Sequence, residues 1–196
     1  MKLFKYLPAI AAGLFLAFGL VACGGDDDAL PEPEPEPTQY EVRIYVPTLK
    51  VQDTFMDGAV TITNDGKDLG TVKLSDMKEV AESDVNEKIV SDASLGKDLI
   101  PEGMKEVVWR CYTLPEKYTT AKFEATLSFT AKKDVQTDLE EIAVLSCIRI
   151  ARFNNGVYDY YTTSSLEKRV YTGIASDYEN LSEFCAQIDN TSKISF

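Results

Sequence analysis

The chain contains no histidine. That absence removes Ser-His-Asp and Cys-His nucleophile activation, the HExxH zinc proteases and most imidazole acid-base chemistry. Cysteine is sparse as well: there are 4, without CxxC spacing, so zinc finds no thiolate set. Glycine-rich phosphate loops are missing, and Gly66 and Gly70 belong to a hairpin signal. Basic residues are the minority, 20 Lys and Arg against 32 Asp and Glu, and a net charge of −12 argues against nucleic acid and against a polybasic membrane footprint. Paired carboxylates are the one enzymatic route left, but Glu140-Glu141 and Asp134/Asp138 carry no cleft signature, and adjacent glutamates in a strand point to opposite faces. Asn64-Asp65-Gly66-Lys67-Asp68 offers oxygens to calcium without EF-hand spacing, so turn chemistry is the reading preferred. The chain is therefore expected to be no enzyme, with no catalytic residue, cofactor or metal.

What is present begins with an export pattern. Lys2 and Lys5 precede an apolar run, Leu7 to Val21, broken only by Pro8 and small residues, and the run meets three aspartates rather than the flank of a stop-transfer helix. Leu20-Val21-Ala22-Cys23 resembles the lipobox of bacterial lipoproteins. The resemblance implies cleavage before Cys23, a diacylglyceryl group on its thiol and an acylated amino group; several acyl chains on one residue make such an anchor stable. Gly24-Gly25-Asp26-Asp27-Asp28 is similar to the acidic patch that directs lipoproteins of Bacteroidetes-type bacteria to the outer face of the outer membrane, although two glycines precede the acids here. The expectation is a signal peptide over 1–22 and an outer-membrane lipid anchor facing the cell surface, with the periplasmic face as the alternative. Residues 23–38 then form a tether, whose alternating Pro and Glu from Pro31 to Pro37 predict a stiff polyproline-II rod about 20 Å long.

Residues 39–196 suffice for one domain with a sizeable core. Val42, Ile44 and Val46 alternate with polar or aromatic neighbours, and Ala59–Thr63 and Thr71–Leu74 flank the Asn64-Asp65-Gly66 turn. "KEVVWRCYTL", "AKFEATLSFTAKK" and "EEIAVLSCIRIARF" read as further strands, and Asn154-Asn155-Gly156 turns the last of them into "VYDYYTT". About seven short strands predict a mainly β antiparallel sandwich, with an Ig-like sandwich as the specific expectation. Residues 75–104 break the pattern as a polar excursion with a short helix or irregular strand. Ser176 with Glu179 predicts a capping box, and Tyr178, Leu181, Cys185 and Ile188 one face of a short C-terminal helix.

Cys111, Cys147 and Cys185 lie in apolar strands or on the apolar helix face and read as buried small side chains, with at most one disulfide among them. Trp109 lies in an apolar strand and is expected in the core. The candidate ligand-binding residues are Tyr158, Tyr160 and Tyr161, beside the Asn-Asn-Gly turn. Period-two alternation places Tyr158 and Tyr160 on one face and Tyr161 on the other, where they serve cross-strand packing or a platform for a sugar or protein. The sequence thus predicts a lipid-anchored cell-envelope protein with a non-catalytic binding role toward a glycan or a protein; the alternative is a structural or adhesive subunit that assembles through a strand edge.

Overall fold

The computed structural model describes residues 36–91, 100–135, 137, 139–164, 167–173 and 177–196. Cys23 and the tether up to residue 35 lie outside the described residues, as do Asp138 and Ser176.

Apolar alternation builds the strands. β6 (Lys122–Ala131) buries Phe123, Ala125, Leu127, Phe129 and Ala131 on one face and turns Lys122, Ser128 and Thr130 to solvent. It pairs antiparallel with β2 (Met56–Asn64) on one side and β11 (Asp189–Ser195) on the other, and β3 (Lys67–Lys73) adds to β2, giving the order β11-β6-β2-β3. At the β2–β3 turn Asp65 and Gly66 both take positive φ, 50° and 79°, the geometry that tight hairpins need. The second sheet has the order β4-β5-β1-β8-β9, comprising Lys78–Val80, Val107–Tyr118, Tyr40–Leu49, Arg149–Asn154 and Val157–Thr163. A separate antiparallel pair joins β7 (Glu141–Ser146) to β10 (Glu167–Thr172). The inner faces meet in a core that includes Val42, Ile44, Val60, Ile62, Leu127 and Ile150, so the molecule is the expected antiparallel β-sandwich.

Three features depart from the sequence reading. "EEIAVLSCIRIARF" is not one strand: Cys147 and Ile148 break it into β7 and β8, which belong to different sheets. Ile142-Ala143-Val144-Leu145 has no polar face to fix one register, and both β7 faces are buried, Ile142 and Val144 in the inter-sheet core and Ala143 and Leu145 in a second one. The helix α3 (Tyr178–Ala186) is capped by Asp177, whose side chain accepts from the Asn180 N–H; Leu181 and Cys185 are its buried residues and Tyr178 is exposed. The chain does not end there, for β11 follows at once with Asn190, Ser192 and Ile194 buried and the residues between them exposed. The alternating buried positions are two-thirds polar, which hid the strand.

The described parts of the excursion, 75–91 and 100–104, supply the edge strand β4 and a cover. Its short helix α2 (Glu87–Ser91) and flanking segments bring Val85, Ile89 and Ile100 onto the outer face of the five-stranded sheet, where they pack with Tyr45, Leu49, Trp109 and Phe153. Around Tyr45, Leu49, Trp109 and Phe153 the five-stranded sheet thereby carries a second apolar core on its outer face. Trp109 lies in this outer core, 2 % exposed, with its Nε1–H donating to Glu82 at 3.2 Å.

One buried side chain fastens β7 to β1. Gln52, in the four-residue helix α1 (Gln52–Phe55), is 1 % exposed; its Oε1 accepts the N–H of Leu49 at 2.7 Å and of Leu145 at 2.8 Å, and its Nε2 donates to the Leu145 carbonyl at 3.2 Å. No ladder pairs β1 with β7, and this side chain satisfies backbone groups of both.

Burial also sets a pH dependence. Desolvation pushes the Tyr45 phenol up to about 12 and the Cys185 thiol up to about 11, from ordinary values of 10.0 and 9.0. Both groups are neutral when protonated, so above pH 9 the unfolded chain releases protons that the folded chain keeps. Their contribution to stability is complete below the unfolded values and is lost as pH rises toward the folded ones. Urea unfolding followed from about pH 8 to about pH 12 should show a decline of roughly 2 to 3 kcal/mol for each group. Tyr45→Phe should flatten the upper part of that decline, and an unchanged curve would contradict the assignment.

Candidate binding cleft

A cavity of about 760 Å³ opens where α1, the start of β2, the end of β3, the edge strand β4 and the end of β6 converge around Arg110 of β5. Its size lies within the range of small-ligand sites. Arg110 organises it. On β5, Trp109 turns to the outer core and Arg110 to the opposite face, where a charge among apolar neighbours must be paired. Arg110 is 5 % exposed; its Nη1 donates to Thr48 Oγ1 at 2.6 Å, and its Nη2 donates to Asp53 and lies 3.5 Å from Glu79 Oε1. Lys132 Nζ donates to the Asp53 carbonyl at 2.5 Å and lies 3.4 Å from Asp57 Oδ1. Lys73 completes a lining with three carboxylates and three cations.

The floor is apolar, made by Met56, Leu74 and Met77, all buried. Gly58 permits it: a Cβ there would stand 2.4 Å from Leu74 Cδ1 and 3.1 Å from Phe129 Cε1. Asp53 and Glu79 come from different elements to one guanidinium nitrogen, which donates to Asp53 and forms a longer ion pair with the exposed Glu79.

The cleft lies at the far end of the sandwich from the point of chain entry. Tyr40 opens β1 beside Tyr118, Asn154 and the C-terminal Phe196, whose ring stands 5.3 Å from that of Tyr40. Thr48 lies eight residues further along the same strand, about 25 Å away at the rise of an extended chain.

The three tyrosines do not share a platform. Tyr158 and Tyr161 sit on the same side, their ring centroids 6.1 Å apart, packed against the outer core. Tyr160 is 50 % exposed and turns to the other side, where Arg152 Cζ lies 5.7 Å from its ring. This reverses the expected pairing of faces, because Arg152 pairs with Tyr160 and Phe153 with Tyr158, leaving Asp159 as an extra residue in β9. A bulge of one residue exchanges the faces beyond it. Asp159 in turn holds Arg152 Nε at 2.5 Å, and Arg152 stacks over Tyr40 and Phe196 as well.

The other sequence candidates take structural roles. Cys111, Cys147 and Cys185 are free thiols; Cys147 and Cys185 are buried and Cys111 half-buried, with burial pushing the Cys111 thiol up. Asp68 accepts the Gly70 N–H at 2.8 Å and Asn64 the Lys122 N–H at 3.0 Å, so this turn spends its side chains on the backbone. Glu140 and Glu141 are exposed at the start of β7. Among the described residues no helix is long and apolar enough to cross a membrane, and no group of three His, Cys, Asp or Glu side chains is placed to hold a metal ion. No protein-family model, curated protein or solved structure matches the chain.

None of the cleft residues stood out in the sequence. The one available signal was Arg110 itself, a cation inside "VVWRCY", since a charge in an apolar strand requires partners from elsewhere.

Proposed function

We propose that this protein is a lipid-anchored, non-catalytic binding module of the bacterial cell envelope, held to the outer membrane through Cys23 and directed to the cell surface, with a glycan or a protein as ligand. The observation that supports it most is the position of the Arg110 cleft, at the opposite end of the domain from chain entry. A tether attached before Tyr40 would leave that end free to meet a ligand while the acyl chains occupy the membrane. The convergent polar groups over an apolar floor are what a binding site requires, and Arg110 fixes Asp53 among them before any ligand arrives.

A second reading, as an adhesive or assembly subunit, draws on a different surface. Val157 and Tyr160 on the edge strand β9 are 68 % and 50 % exposed, and apolar side chains on a sheet edge suit contact with another protein. Concentration-dependent association abolished by Val157→Lys would favour this reading over the cleft.

The anchor has its own test. Cys23→Ser should move the protein from the membrane to the soluble fraction of the native host. Retention of the variant in the membrane pellet would remove the anchor from the account.

A further inference from the structure

The chemistry of the cleft narrows the ligand class, and this step rests on the binding reading above. We infer that the Arg110 cleft takes an uncharged, hydroxyl-rich saccharide. Each carboxylate has about four acceptor positions, and Arg110 engages only part of those on Asp53 and Glu79. The positions left over on these two residues and on Asp57 can accept from neighbouring hydroxyls of a sugar ring. Lys73 and Lys132 supply donors to its oxygens. Met56, Leu74 and Met77 line the same cleft and, at 2 to 5 % exposure, give the C–H face of a pyranose a small apolar contact.

Charge excludes the neighbouring ligand classes. An anionic ligand would find Arg110, the most buried cation of the lining, already engaged by Thr48, Asp53 and Glu79, on a chain of net charge −12 that repels it at a distance. A cationic ligand would meet three positive side chains within a lining whose formal charges cancel. A neutral polyol pays neither cost and uses donors and acceptors alike. Because buried Arg110 holds Asp53 by a hydrogen bond, little of that side chain's freedom is lost when it closes on hydroxyls.

Methionine placement provides the test. Of the four methionines, Met56 and Met77 line the cleft, Met104 packs on the outer core and Met1 lies in the leader. The full chain, purified in detergent and carrying 13C-methyl methionine, would be titrated with maltotriose, mannotriose, xylotriose, chitotriose and the anionic trigalacturonate. The proposal expects the Met56 and Met77 methyl resonances to move with at least one neutral trisaccharide and not with trigalacturonate, while Met104 stays in place. It also expects Glu79→Gln to weaken that binding about tenfold or more. Glu79 is 70 % exposed in its side chain, so this variant should retain the parent melting temperature. Silence of Met56 and Met77 toward all four neutral trisaccharides overturns the saccharide assignment, and so does an equal response to trigalacturonate. If a soluble extract of the host envelope then moves these two resonances, the binding reading survives with a different ligand class; if it does not, both fall.

Discussion

Replacing Gln52 by leucine is expected to lower the unfolding free energy by about 3 to 6 kcal/mol. Leucine retains roughly the volume but leaves the N–H groups of Leu49 and Leu145 and the Leu145 carbonyl without their partner in a site that is 1 % exposed. Each buried polar group so orphaned costs about 1 to 3 kcal/mol. Against the 5 to 15 kcal/mol that typically separates folded from unfolded domains, this is a large share. Urea denaturation of the two proteins measures it directly. A loss under about 1 kcal/mol would mean that water or a small backbone shift replaces the amide, and that Gln52 does not fasten β7 to β1.

Trp109→Ala should cost about 3 to 5 kcal/mol, the range for deleting a large buried aromatic side chain. Its ring fills the outer core against Val85, Ile89 and Ile100, and its Nε1–H is spent on Glu82. The loss should also be uneven. The cover reaches the sheet through only a few apolar side chains, so proteolysis within 80–91 should accelerate before the sandwich as a whole unfolds. Uniform protease resistance up to global unfolding would show that the cover does not depend on Trp109.

Much of the fold was legible because its signals are local. Alternation in "AKFEATLSFTAKK" and the Asn-Asp-Gly and Asn-Asn-Gly turns each specify a short piece of chain, and the sandwich follows from several such pieces. Where the determinant was distant, the reading failed. The break between β7 and β8 is decided by the sheets to which each half pairs, and β11 was obscured because two of its three inward residues are Asn190 and Ser192. The cover was masked by its polar composition, since Val85 and Ile89 are a single pair at helical spacing and Ile100 lies far along the chain from them.

The cleft was illegible for the same reason in stronger form. Thr48, Asp53, Glu79, Arg110 and Lys132 come from separate segments, and only folding brings their atoms together. The tyrosines show the opposite error, a local cluster whose geometry one inserted residue changes. Asp159 is taken up as a bulge, and the face assignment of Tyr160 and Tyr161 reverses with it.

An anchored domain with this cleft at its free end is expected to present it to the outside of the cell. Lys73 is exposed, lines the cleft and forms the last residue of β3, so Lys73→Cys places a reporter there. Intact cells of the native host expressing this variant would be treated with a membrane-impermeant maleimide, with the parent chain measuring background from the half-buried Cys111. Labelling of the variant well above the parent on intact cells is the predicted result. Labelling that appears only after the outer membrane is permeabilised would contradict presentation at the surface and place the cleft in the periplasm.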